Sequence, residues 1–166
     1  MNLKKLTIAA LLIALGTMAA STIVFPFAGA RLFPVQHAIN VVAAVLLGPL
    51  YSVLTAFGIS LLRNLLGTGS LLAFPGSMIG AFLAAWVYQK THCKLKAVLG
   101  EVMGTGVLGA ALAFPVARFL LGRDVAAYAF VIPFILSSLA GSVVAYVVVI
   151  SLSDRLLAQM GLREKA

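Results

Sequence analysis

The chain has 166 residues, of which 63% are hydrophobic and only 10% are charged, and its formal net charge is +8. Soluble domains carry about 25% charged residues, so this composition excludes an ordinary soluble core. Runs of roughly 20 apolar residues can cross a bilayer as helices, and the charges here separate several runs of that length. We therefore expect an all-α, multi-pass protein of the cell membrane forming one integral domain. Basic residues that flank membrane spans account for the net charge without any nucleic-acid partner.

The first uncharged run extends for 25 residues, from Leu6 to Ala30. The apolar region of a secretory signal peptide is only about 7–15 residues long, so this run predicts a retained helix at about 4–25. Ala10 and Ala14 are four residues apart and share one face of that helix. Small residues at this spacing let helices approach closely within lipid, although the same face is also compatible with packing inside the protein's own bundle.

The next run, residues 32–62, is interrupted only by Gly48-Pro49. Proline disrupts a helix interior and Gly-Pro is a strong turn signal, so the run is either one kinked helix or two short helices. With a cytoplasmic N-terminus, two helices place eight basic residues inside (Lys4, Lys5, Lys90, Lys94, Lys96, Arg155, Arg163, Lys165) and four outside (Arg31, Arg63, Arg118, Arg123). One kinked helix instead places five inside and seven outside. The positive-inside rule therefore favours two helices.

The charge distribution thus predicts six transmembrane helices, with both termini, Gly48-Pro49 and Cys93 in the cytoplasm. Their expected positions are about 4–25, 36–47, 50–65, 75–91, 96–121 and 127–158. The second helix, of about 12 residues, reaches only about 18 Å, whereas the hydrocarbon core is about 30 Å thick. It must be covered by protein or tilt beneath a loop. A short helix beside Gly/Pro-rich loops is one indication of a binding site inside a membrane bundle.

Polar residues on the second and third helices and on the loop after them are predicted to meet at the outer end. This candidate ligand site comprises Gln36, His37, Asn40, Arg63, Asn64, Ser70 and Phe74. Other interpretations remain open for three of them. Arg63 can extend to lipid headgroups, Asn64 can cap its helix or brace the loop, and His37 can be an interfacial residue.

Glu101 is the acidic residue expected within the membrane, about one turn into the fifth helix from the cytoplasmic side. An ionisable residue at such a position is a functional hypothesis by default. The alternative is that this carboxylate reaches the cytoplasmic interface or pairs with Lys94 or Lys96. The sequence does not choose between these two interpretations.

The glycine-rich motifs do not indicate nucleotide binding. Gly67-Thr-Gly-Ser70 lacks the lysine of a phosphate loop. Gly104-Thr-Gly-Val-Leu-Gly109 has dinucleotide-motif spacing but no preceding strand, so it predicts close helix packing instead. The single cysteine, Cys93, has no second metal-ligand pair. We expect no enzyme activity, no metal and no cofactor. The main alternative to a partner-driven transporter is a self-sufficient carrier or channel, and a membrane enzyme or assembly subunit is the second.

Two segments resemble the ThiW family. They are "HAINVVAAVLLGPLYSVLTAFGISLLRNLLGTGSLLAFPGSMIGAFLAAWVY", from His37 to Tyr88, and "GEVMGTGVLGAALAFPVA", from Gly100 to Ala117. This family is assigned to the substrate-binding (S) components of energy-coupling factor (ECF) vitamin transporters, with hydroxyethylthiazole, a thiamine precursor, as the suggested ligand. The resemblance implies a six-helix S-component fold. It also implies three partners, namely a transmembrane coupling protein and two ATPase subunits.

The resemblance also implies where ligand and partner bind. The ligand is expected in the outer half, beneath the loop joining the first two helices, with Arg31 and Phe33 as lid residues. Rings for a small aromatic ligand are expected from Phe33, Phe74, Tyr128 and Phe130, and hydrogen bonds from Asn40, Asn64 or Ser70. The coupling protein is expected to dock on Ala10 and Ala14. Thiamine or another vitamin remains the alternative ligand, although the cation of thiamine favours a carboxylate that the outer half is not expected to offer.

Overall fold

The computed structural model describes residues 2–27, 30–126 and 128–152, and over these residues the protein is all-α. Its helices are α1 (Leu3–Thr22), α2 (Pro34–Leu47), α3 (Pro49–Leu65), α4 (Ala73–Thr91), α5 (Lys94–Leu120) and α6 (Val131–Ser151). A short antiparallel hairpin, β1 (Phe25–Phe27) and β2 (Ala30–Leu32), joins α1 to α2. The sequence predicted only a loop there. Basic residues counted at positions 155, 163 and 165, and the predicted end of the last helix at 158, lie outside the described residues.

Gly48-Pro49 separates two helices, as the charge distribution predicted. Gly48 has φ 84°, in the left-handed region that glycine adopts without a steric penalty. Pro49 then begins α3, where its missing N–H is not needed for a helical hydrogen bond. The break therefore needs both residues, one to leave α2 and one to begin α3.

The short helix α2 is the centre of the bundle. It contacts all five other helices, and most of its residues are buried. Three helices, α1, α5 and α6, are long and apolar enough to cross a membrane on their own, whereas α2 is apolar but shorter. The expectation that the second helix is covered by protein is thus met in the described residues.

Glycines bring α4 and α5 into backbone contact. A methyl group at Gly104 or Gly109 of α5 would overlap the Cα atoms of Gly80 and Gly76 of α4. Gly104–Gly109 is also a π-helical segment, and a second one, Val116–Leu120, ends α5. The motif with dinucleotide spacing therefore serves close helix packing. Single-turn π segments are often found at functional sites, and this one lies beside the cavity described below.

Hydrogen bonds between helix ends define two ends of the bundle. At the lysine end, Lys5 Nζ donates to the Leu47 carbonyl at 3.3 Å and Lys94 Nζ donates to the Leu152 carbonyl at 2.7 Å. The opposite, hairpin end contains the β-hairpin, the α3–α4 loop and the α5–α6 loop, and there Phe33 N donates to Ser137 Oγ at 2.8 Å. The start of α1, the α2–α3 break and the α4–α5 turn all lie at the lysine end.

Helix α1 has two different small-residue faces. Ala10 and Ala14 are exposed on the outside of the bundle. Gly16 and Ala20 are buried, and Gly16 packs against the Ile59 side chain of α3. The face formed by Ala10 and Ala14 is therefore not used for packing within the described part of the chain.

Candidate functional site

A cavity of about 390 Å³ opens at the hairpin end. Its walls come from the hairpin, α2, α3, the α3–α4 loop, α4, α5, the α5–α6 loop and α6. The lining residues with polar side chains are Arg31, Gln36, His37, Arg63, Thr68, Ser70, Ser77, Thr105, Arg123 and Ser137, and the rings are Phe33, Phe130 and Phe134. The cavity thus combines aromatic walls with polar groups from every element that lines it, which is typical of a small-molecule site.

Four of the seven residues that the sequence predicted as ligand contacts line this cavity: Gln36, His37, Arg63 and Ser70. Asn40 is fully buried behind the wall. Asn64 braces the α3–α4 loop, since its Nδ2 donates to the Ser60 carbonyl at 2.8 Å and to the Ser70 carbonyl at 3.2 Å. Phe74 instead packs against Phe57 of α3, with the two ring centroids 5.7 Å apart.

Of the suggested aromatic residues, Phe33 and Phe130 line the cavity, whereas Tyr128 is exposed and does not. Residues that the sequence analysis missed complete the wall: Ser77, Thr105, Arg123, Phe134 and Ser137. Ser137 and Phe134 are three residues apart on α6, a spacing that places both on one helix face. Helix α6 is apolar almost throughout. A serine three residues after Phe134 was therefore the available sign in the sequence that this face of α6 lines a cavity.

Arg63 is buried inside the protein and does not extend to lipid headgroups, so that interpretation is wrong. Its side chain has 1% relative exposure, and its guanidinium carbon lies 3.8 Å from the centre of the Phe33 ring. Nη1 donates to Gln36 Oε1, and Nη2 donates to the Thr68 carbonyl at 3.0 Å. Arg63 therefore holds together α2, the α3–α4 loop and Phe33 just below the hairpin.

The hydrogen bonds continue from Gln36 into the middle of the bundle. Gln36 Nε2 donates to Ser60 Oγ at 2.8 Å and to Ser77 Oγ at 2.9 Å. Asn40 Nδ2 donates to the Ser77 carbonyl at 3.2 Å and to Glu101 Oε1 at 3.0 Å. These bonds link α2, α3, α4 and α5, and they connect Arg63 to Glu101.

Glu101 lies at the deep end of this polar chain and is fully buried. Its Oε1 is 2.9 Å from His37 Nδ1 and 3.0 Å from Thr105 Oγ1. The alternative of a carboxylate that reaches the interface or pairs with lysine is wrong, because Lys94 donates elsewhere and no lysine contacts Glu101 in the described residues. Burying a carboxyl group is costly unless it is hydrogen-bonded, and three neighbours on two helices supply that compensation.

The charges around the cavity are all positive among the described lining residues. Arg31 lies on the hairpin, Arg63 on α3 and Arg123 on the α5–α6 loop, and no acidic side chain joins them in the wall. Asp124, next to Arg123, is exposed and pairs with Arg118 at 3.0 Å. Such a wall disfavours a cationic ligand and leaves neutral or anionic molecules as candidates.

Comparison with known proteins agrees with the resemblance seen in the sequence. The model of the ThiW family, described as a thiamine-precursor transporter protein, matches residues 6–155. The chain belongs to the ThiW family. No curated protein and no solved structure matches the chain. Membership of a transporter family, together with helices apolar enough to span a bilayer, identifies a membrane protein with a transport role.

The part of the chain that matches the ThiW family also contains the cavity. The matched segment includes all the lining residues.

Proposed function

We propose that the protein is the substrate-binding subunit of an ECF-type transporter and captures hydroxyethylthiazole in the cavity at the hairpin end. The cavity supports this proposal most directly, because 390 Å³ is near the lower limit for small-molecule sites and so favours a small ligand. Phe33, Phe130 and Phe134 offer ring faces for a thiazole. Polar groups that line the cavity on α2 and α4, namely Gln36, His37 and Ser77, offer hydrogen bonds for its ring nitrogen and its hydroxyl.

The hairpin is suited to the role of a lid. Phe33, directly after β2, lines the cavity, and its ring covers the Arg63 guanidinium. Its backbone N–H donates to Ser137 on α6, so the end of the hairpin is tied to two walls of the cavity. We infer that ligand entry requires these two contacts to separate.

Three arginines and no acid in the described wall argue against thiamine as the ligand. The thiazolium ring of thiamine carries a fixed positive charge, whereas hydroxyethylthiazole is neutral. Arg63 is already hydrogen-bonded to protein groups and does not need an anionic ligand as its partner. A neutral thiazole therefore fits this wall better than thiamine does.

We further propose that all six helices form one membrane bundle. Its lysine end and both termini lie in the cytoplasm, and the cavity opens toward the outside of the cell. The lysine excess at one end supports this orientation by the positive-inside rule. The exposed face of Ala10 and Ala14 would then bind the transmembrane coupling protein, which transmits the work of two ATPase subunits. Small residues on an exposed face allow a second helix to approach closely.

The ligand proposal is tested by mass spectrometry of small molecules that co-purify with the detergent-solubilised protein, followed by equilibrium titration. We expect hydroxyethylthiazole to bind and thiamine to bind at least tenfold more weakly, because the arginines repel its charge. Tighter binding of thiamine would contradict the proposal. Uptake into liposomes by this chain alone would instead identify a self-sufficient carrier.

The orientation is tested with the single cysteine, Cys93, in the turn between α4 and α5. We expect it to react with a membrane-impermeant maleimide only after cells are opened. The matched control is a variant with Cys93→Ser and Ala126→Cys, which moves the thiol to the exposed α5–α6 loop and should label in intact cells. Labelling of Cys93 in intact cells would reject the proposed orientation.

Docking is tested by the double variant Ala10→Trp and Ala14→Trp. We expect it to lose co-purification with the coupling protein and to lose uptake, while affinity for hydroxyethylthiazole stays within twofold, because both residues lie on the outside of α1. Leu11→Trp is the control, since it is also exposed on α1 but already bulky. Normal complex formation by the double variant would show that the coupling protein binds elsewhere.

A further inference from the structure

The two ring nitrogens of His37 have different surroundings. Nδ1 is 2.9 Å from Glu101 Oε1. Nε2 has no hydrogen-bond partner among the described residues. It is also not among the fully buried side-chain atoms without a partner, so it is accessible from outside the protein wall. His37 is 8% exposed and lines the cavity, so Nε2 is the ring nitrogen that meets the cavity.

Glu101 fixes which of these nitrogens carries the proton. Oε1 also accepts from Asn40 Nδ2, and the second N–H of that amide donates to the Ser77 carbonyl, which fixes the orientation of the amide. Because Oε1 already accepts from Asn40, it is not the protonated oxygen of a carboxyl group, and it acts as an acceptor toward His37 as well. The proton of the neutral imidazole is therefore assigned to Nδ1, and Nε2 is left as an acceptor.

The rest of the wall makes an acceptor at this place important. Arg31, Arg63 and Arg123 line the same cavity, and guanidinium groups offer donors only. The hydroxyl groups of the described wall and the amide oxygen of Gln36 already have hydrogen-bond partners within the protein. An alcohol that enters such a site can accept from an arginine, but its own O–H needs an acceptor. A buried O–H without one loses the hydrogen bond that it made to water.

We propose that His37 Nε2 accepts a hydrogen bond from the ligand's hydroxyl, and that Glu101 is the positioning residue that holds the proton of the neutral imidazole on Nδ1, which leaves Nε2 as the acceptor. The inference rests on the proposed function and narrows it to a ligand class: small, uncharged heteroaromatic alcohols with a free O–H. Ethers and analogues without the hydroxyl are rejected. The recognition is therefore of the alcohol as much as of the thiazole ring.

The first test is titration of the solubilised full chain with three ligands: hydroxyethylthiazole, its methyl ether, and the 5-ethyl analogue that lacks the hydroxyl. A lost buried hydrogen bond corresponds to about 5- to 150-fold in affinity, and we expect both analogues to bind more weakly by a factor in that range. If all three bind alike, this inference is wrong while thiazole binding stands. If none binds, the proposed function falls and the inference with it.

Variants then separate recognition from structural support. His37→Phe keeps a ring but loses Nε2, so the alcohol should bind no better than the ethyl analogue. Glu101→Gln keeps an acceptor oxygen for Asn40 and His37 and should retain the preference, whereas Glu101→Leu should lose it. Ser138→Ala is the control, because this buried hydroxyl bonds only within its own helix. Equal weakening of alcohol and ethyl analogue in His37→Phe would overturn the proposal.

Nitrogen-15 NMR on histidine-labelled protein reads the tautomer without any variant, because the chain has only two histidines, His37 and the exposed His92. We expect an unprotonated Nε2 signal for His37 that shifts when hydroxyethylthiazole is added, with His92 unchanged. A protonated Nε2, in either the other tautomer or the imidazolium, would overturn the assignment. This measurement decides the question even if a Glu101 variant does not fold.

Discussion

A chain of buried hydrogen bonds from Arg63 to Glu101 determines how the helices of this protein are arranged. Lipid cannot supply hydrogen-bond partners, so polar side chains inside an apolar bundle must find them in one another. Here Arg63, Gln36 and Asn40 do so from the hairpin end inward. Moving α2 relative to α3, α4 or α5 would break several bonds at once. Two atoms at the ends of this chain, Arg63 Nε and Glu101 Oε2, are buried without a hydrogen-bond partner among the described residues.

Small residues make this polar chain possible. Because Gly104 and Gly109 let α5 touch the backbone of α4, Thr105 bonds to α4 and Glu101 comes within reach of α2. The π-helical segment that begins at Gly104 contains Thr105, which both contacts Glu101 and lines the cavity. Backbone packing and the ligand cavity are thus two results of the same glycine pattern.

Much of the architecture was predictable because it depends on local signals. Gly48-Pro49 and the distribution of basic residues predicted separate second and third helices, and the length of α2 predicted that protein must cover it. Gln36, His37 and Arg63 were predicted to meet because they lie near the ends of neighbouring helices.

What failed depended on helix rotation. In a membrane helix that is apolar all round, the sequence carries little information about which face points inward. The position of Glu101 along α5 predicted a place near the lysines. The rotation of α5 about its own axis and its close contact with α4 instead turn the Glu101 side chain toward His37. Asn64 lies next to Arg63 in the sequence, yet its side chain turns back to brace the loop. The hairpin was missed because strands of three residues are too short for an alternating pattern.

The central claim is that the cavity beneath the hairpin is the ligand site and that the buried polar chain shapes it. The most direct measurement is an experimental structure of the protein with hydroxyethylthiazole. We predict the thiazole ring between Phe33 and the rings of Phe130 and Phe134, with its hydroxyl within hydrogen-bond distance of His37 Nε2. Ligand bound elsewhere, with this cavity empty, would contradict it.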